Sequence, residues 1–168
     1  MACTYDCEPG GNACSTCRPK SEANLLPNPG FDGSSNPWEG LATYSTQNDA
    51  DFCAGSGSLA ILNISAYAST CLAATPNTTY YVTYQFKVYD GVGNGYCTVV
   101  FYPEAECEGT SASEYIEAWG PSSSEWTRAV TAQGVSPAGT ASMSFSCIGG
   151  VGFGYYDQLY LGTENTTF

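Results

Sequence analysis

Histidine is absent from this 168-residue chain, and lysine and arginine together number only four: Arg18, Lys20, Lys87 and Arg128. The missing imidazole removes Ser-His-Asp and Cys-His catalysis, and any mixed Cys/His metal site with it. The missing cations remove a second class of function. Sixteen acidic residues set the formal charge at -12, which repels phosphate backbones and anionic headgroups, so no nucleic-acid partner is expected. Long apolar runs are lacking too: nothing approaches the ~20 residues that span a bilayer, so no membrane insertion is expected. Helical periodicity with caps is never sustained for three turns. Met1 leads straight into Ala2 and Cys3, from which a leader is expected to have been removed or replaced.

What the chain has instead is tyrosine, glycine, serine, threonine and cysteine. With charged residues at only 12%, the surface must stay soluble through hydroxyls and amides. That suits a secreted or cell-surface protein and hydrogen bonding to neutral polymers. Nine cysteines are too many for a reducing cytosol. Cys3, Cys7, Cys14 and Cys17 crowd the start; their spacing is too tight for a zinc ribbon, so disulfides are the expected reading. The lead segment has almost no apolar residues to bury, and two bridges of ~2–4 kcal/mol each would hold it instead. The odd total leaves at least one thiol free or bridged to another molecule.

From Ser21 onward the pattern is all-β. In 79–89, Tyr80, Val82, Tyr84, Phe86 and Val88 share one parity and predict a half-buried strand. In 141–147, Met143, Phe145 and Cys147 turn inward and Ser142, Ser144 and Ser146 outward. Further strands are expected over 58–64, 97–102, 114–119 and 126–133, punctuated by Gly, Pro, Asn and Ser clusters. Such spacing without helices calls for a sandwich. Parity turns Cys97 and Cys147 to the core, which makes their bridge sterically sensible, with Cys107 a competitor for either. Cys53, in a Gly/Ser loop, is expected to pair with Cys71.

Two motifs bracket the chain. Asn24–Trp38, NLLPNPGFDGSSNPW, and Tyr155–Leu161, YYDQLYL, resemble the opening and closing strands of jelly-roll carbohydrate-binding modules found with secreted glycanases. The resemblance implies one jelly-roll β-sandwich over 22–168, preceded by a disulfide-rich segment over 1–21. It implies buried positions for Trp38 and Trp126. It also implies a structural Ca2+ held by Asp32 and Asp157, with backbone and Asn or Ser oxygens completing the shell.

Function then turns on carboxylates and rings. Glycoside hydrolysis needs two carboxylates at a set separation. Glu117 has a strand setting, but Glu104, Glu106 and Glu108 lie in a polar loop, so no enzyme is expected. Sugars present C–H faces to aromatic rings and hydroxyls to polar side chains. Tyr115, Glu117 and Trp119 alternate on one outward face; Tyr81, Gln85 and Tyr89 form a second row, and Tyr102 a third. Trp119, Tyr115, Glu117, Tyr89, Gln85 and Tyr102 are therefore the expected glycan contacts, for a neutral polysaccharide or glycan. The alternative is an extracellular structural or adhesive subunit that self-associates through the same sandwich or attaches to a larger protein. Asn63, Asn77 and Asn165 head N-x-S/T triplets; Asn63 is expected inside a strand, and Asn77 at an accessible turn.

Overall fold

A computed structural model describes residues 5–7, 17–19, 23–50, 55–89, 93–149 and 153–166. Its strands are β1 (Tyr5–Cys7), β2 (Cys17–Pro19), β3 (Glu39–Gly40), β4 (Thr43–Ser45), β5 (Ser58–Ile61), β6 (Tyr67–Ala73), β7 (Thr79–Val88), β8 (Tyr96–Tyr102), β9 (Tyr115–Trp119), β10 (Thr127–Arg128), β11 (Ala132–Val135), β12 (Ser142–Ile148) and β13 (Gly154–Gly162). The small β1–β2 ladder sets Cys7 opposite Cys17. Cys3 and Cys14 lie outside the described residues.

All other strands build two antiparallel sheets. One has the order β10-β7-β13-β5-β4, with β11 following β10 along β7; the other is β3-β6-β12-β8-β9. β7 shows why they close on each other. Tyr80, Val82, Tyr84, Phe86 and Val88 are all buried, facing Val99, Phe101, Met143 and Phe145 of the second sheet in one apolar core. Two buried phenols serve as crosslinks. Tyr84 Oη donates to the carbonyls of Gly95 (3.1 Å) and Ala118 (2.9 Å), and Tyr156 Oη to that of Ile148 (3.0 Å). Burial pushes both phenols up from their ordinary range.

β13, the closing motif, does not run straight. Its register against β7 shifts between Asp157 and Tyr160, with Gln158 at φ 47°. The bulge flips parity: Tyr156 before it and Leu159 and Leu161 after it all reach the core. Without it, the two groups would face opposite ways.

The opening motif is not a strand in the structure. Residues 24–38 run beside β13 as irregular chain, because Pro27 and Pro29 have no N–H to give. Asn24 substitutes for ladder bonds, its amide donating to Leu159 O (2.8 Å) and its carbonyl oxygen accepting from Leu161 N (3.2 Å). Leu25 N donates to Leu161 O and Leu159 N to Pro29 O. Trp38 is buried between Phe31 and Phe145, both at 5.7 Å, and its indole N–H donates to Pro27 O.

Other expectations also need correction. The strand expected over 126–133 is split into β10 and β11, since Ala129 O accepts the Thr83 hydroxyl (2.9 Å) rather than a ladder N–H. Trp126 is only half-buried, because β10 lies at the edge of its sheet. β5 stops at Ile61, leaving Asn63 exposed in a turn where its Oδ1 accepts from Ser65 N (2.9 Å). β6 was not expected as a strand.

The cysteines divide as follows. Cys97 and Cys147, register partners on β8 and β12, are bonded to each other and fully buried. Cys71 is bonded to Cys107 with Cα atoms 6.0 Å apart, not to Cys53 as expected. The reason is geometric. Cys71 points outward on β6, and the chain after β8 returns over this face. There, the Ser142 hydroxyl donates to Glu104 O (2.5 Å) and accepts from Cys107 N (2.9 Å). Cys53 lies outside the described residues.

Candidate functional site

The outer face of the five-stranded sheet can be assembled from its registers, because opposed residues in an antiparallel ladder share a face. Trp119 opposes Tyr96, Tyr96 opposes Ile148, and Ile148 opposes Tyr67. One transverse row is thus Trp119–Tyr96–Ile148–Tyr67, three rings and an aliphatic side chain. Three strand spacings of ~4.8 Å give it a length of about 14 Å. Trp119 and Tyr67 are 46% and 42% exposed. The Trp119 ring stacks on Tyr96 at 4.8 Å and 25°, so its orientation is set before any ligand arrives.

The next row is polar: Glu117–Thr98–Ser146–Ser69–Glu39. Ser146 also shares a hydroxyl contact with Ser144 at 3.3 Å. The third row is Tyr115–Val100–Ser144–Cys71. Beyond it, Tyr102 opposes Ser142, which opposes Ala73. The loop after β8, pinned by Cys71–Cys107, stands at this end of the face and carries exposed Glu104, Glu106 and Glu108. An apolar strip beside a strip of hydroxyls and carboxylates matches the two surfaces of a sugar ring.

The expected contacts are divided by the fold. Trp119, Glu117, Tyr115 and Tyr102 share this face. Gln85 and Tyr89 do not: they lie on the outer side of the six-stranded sheet, at the opposite surface of the molecule. There Gln85 opposes Arg128 and Asp157, and the Tyr89 ring packs at 6.1 Å from Tyr155. Sequence reasoning missed Tyr96, Ile148, Tyr67 and Glu39. Tyr96 and Tyr67 each open a strand after a Gly- or Ser-containing turn, and that position was the available signal.

Asp32 and Asp157 also belong to the side of the six-stranded sheet. Asp157 is fully buried; its Oδ2 accepts from Ala50 N (2.9 Å) and its Oδ1 from Gln158 N (2.7 Å). Asp32 sits in a loop folded by Asn28, whose Oδ1 accepts from Asp32 N (2.8 Å) and whose amide donates to Ser34 O and Asn36 O. Tyr44 lies near both. Burial and then the charges of Asp49, Asp32 and Asp157 raise its phenol. Among the described residues no group of three acidic or thiol side chains is arranged to hold a metal. A cation here would rest on two carboxylates and on backbone oxygens, an all-oxygen set that fits Ca2+.

No family model matches the chain, and no curated protein matches it. Solved structures do. A family 16 carbohydrate-binding module superposes with a TM-score of 0.62 at 16% identity, over 82% of this chain and 99% of that one. The C-terminal family 22 module of Clostridium thermocellum Xyn10B gives 0.62 at 17%, over 89% and 100%. The enzymatically active domain of tailspike protein 4 from bacteriophage CBA120 gives 0.59 at 13%, over 89% of this chain but only 22% of that one. The chain therefore spans about a fifth of the tailspike and essentially the whole of each module. It has the jelly-roll fold of carbohydrate-binding modules.

Proposed function

We propose that this chain is a secreted, non-catalytic carbohydrate-binding module that takes a polysaccharide without negative charge on the outer face of its five-stranded sheet. The observation that carries this is the row Trp119–Tyr96–Ile148–Tyr67 with its hydroxyl row alongside. Exposed rings in a line are what sugar C–H faces pack against, and Thr98, Ser146 and Ser69 are placed to exchange hydrogen bonds with ring hydroxyls. The shared fold with glycan-binding modules supports the reading, and the disulfides favour an oxidising compartment.

Hydrolysis is disfavoured on this face. Glu117 and Glu39 end the polar row four strand spacings apart, about 19 Å, whereas glycosidic carboxylates work at ~5–10 Å. Self-association through the same face would bring two acidic surfaces together at a net charge of -12 each, which favours glycan over a second copy. A structural Ca2+ at Asp32 and Asp157 belongs to the proposal too; on the side of the six-stranded sheet it would tie the loop of Asp32 to β13 and leave the glycan face untouched.

The test is retention of the oxidised protein on a panel of insoluble and soluble polysaccharides, with solution mass measured in parallel. Saturable retention by a monomer supports the proposal. No retention together with a defined oligomer sinks it in favour of an assembly subunit.

A further inference from the structure

We infer that the preferred glycan is cationic, a polysaccharide bearing free amino groups, with Glu117 and Glu39 receiving its ammonium groups; this rests on the outer face being the glycan site. The five strands of that sheet, EG, YASTCLA, SMSFSCI, YCTVVFY and YIEAW, contain no lysine or arginine. The basic side chains with described neighbours belong to the other sheet. Lys87 donates to Asn48 Oδ1 (3.3 Å) and Arg128 to Gln158 Oε1 (3.2 Å). Arg18 is on β2, and Lys20 lies outside the described residues.

Among the described residues the face is therefore of one sign. Glu117 and Glu39 are both exposed and cap the two ends of the hydroxyl row. Among the described residues neither takes part in an ion pair. Glu104, Glu106 and Glu108 stand on the loop that bounds the face beyond Tyr115. A uronic acid or sulfated chain would meet like charge along this whole edge. A neutral chain would leave two carboxylates hydrated and idle. A chain of amino sugars packs the same C–H faces on the aromatic row and offers ammonium donors to the carboxylates, as charge-assisted hydrogen bonds. Each exposed pair contributes up to about fivefold in affinity, so two give a preference of up to about twenty-five-fold at low salt.

The experiment is calorimetric titration of the intact, oxidised protein with a β-1,4-linked glucosamine hexamer and its fully N-acetylated counterpart. The buffer is mildly acidic to keep the amines protonated, and salt is varied. The expected result is tighter binding of the amine form, with an advantage that shrinks as salt rises. In the E39Q/E117Q variant the ratio of the two affinities should fall to about one, and in W119A both affinities should drop together. Equal affinities in the wild type, or a preference that survives E39Q/E117Q, would overturn the cationic assignment while leaving the glycan face standing. Amine-form binding that W119A leaves unchanged would overturn it as plain attraction to an acidic protein. Loss of both hexamers and of every polysaccharide on the panel would remove the site itself.

Discussion

Replacing two tryptophans one at a time separates binding from folding. Trp119 is 46% exposed and, among the described residues, its ring partner is Tyr96, stacked at 4.8 Å. Losing a half-exposed aromatic pair costs about 1 kcal/mol. For a domain of this size that lowers Tm by ~2–4 °C. Yet the same ring is the largest exposed aromatic surface of the row, and a Trp that anchors a ligand is commonly worth ~2 kcal/mol or more of binding. Trp119→Ala should therefore weaken polysaccharide binding about thirtyfold or more with a nearly native melting curve. Trp38 is the reverse case. It is buried against Phe31 and Phe145, and its indole N–H satisfies Pro27 O at 2.9 Å. Trp38→Ala should cost ~3–5 kcal/mol and lower Tm by roughly 10 °C or more, with binding lost only as the protein unfolds. Affinity electrophoresis and differential scanning calorimetry on both variants decide the matter. Native affinity in Trp119→Ala, or a large loss of its Tm, would refute the assignment of the row as a binding surface.

Three further outcomes are expected. If Asp32 and Asp157 hold Ca2+, chelation should lower Tm by about 5–10 °C, the linkage effect of ~2.7 kcal/mol for a site near saturation; an unchanged Tm removes the ion. Mild reductant should open Cys71–Cys107 first, since Cys71 is exposed while Cys97 and Cys147 are fully buried; alkylation and mass mapping that found Cys97 labelled first would contradict this. Tyr84 and Tyr156 are buried phenols raised above the ordinary value of 10.0. Ionisation is thus easier in the unfolded chain, and stability should hold below about pH 10 and fall as pH rises beyond it. Tyr84→Phe should flatten that fall while lowering stability at neutral pH by ~1–2 kcal/mol, as Ala118 O loses its donor; a fall of unchanged steepness would exonerate Tyr84.

Where side chains alternate large apolar with polar, the sequence was readable. The parity of β7, β8 and β12 matches the observed burial from Tyr80 to Val88 and from Met143 to Cys147, with Thr83, buried where its hydroxyl meets Ala129 O, as the exception. β6 escaped because its inward residues, Ala68, Thr70 and Leu72, alternate with outward Ser69, Cys71 and Ala73. Small residues on both faces give no contrast in hydrophobicity. That omission hid the course of the loop after β8, and with it the Cys71–Cys107 pair. Pairing depends on which strands are neighbours, and linear spacing does not state that. The candidate site was half legible for the same reason. Trp119, Tyr115 and Glu117 declare themselves within one strand, but the row that gives Trp119 its meaning crosses four strands through Tyr96, Ile148 and Tyr67. Gln85 and Tyr89 are outward by parity as expected, and only the sheet order shows that their outside is the other side of the molecule.

The hydrogen bond from Leu25 N to Leu161 O joins the first and last turns of the sandwich. Gly162 is so close to Ala23 that a methyl group in place of its hydrogen would lie 2.4 Å from the Ala23 carbonyl. The fold thus behaves like a bead clasped at one point: polypeptide arrives and departs through the same doorway. A host sequence could carry this bead inside one of its own surface loops with little change in the loop's span. The doorway lies at the end of β13, in the six-stranded sheet and not in the one that carries the aromatic row.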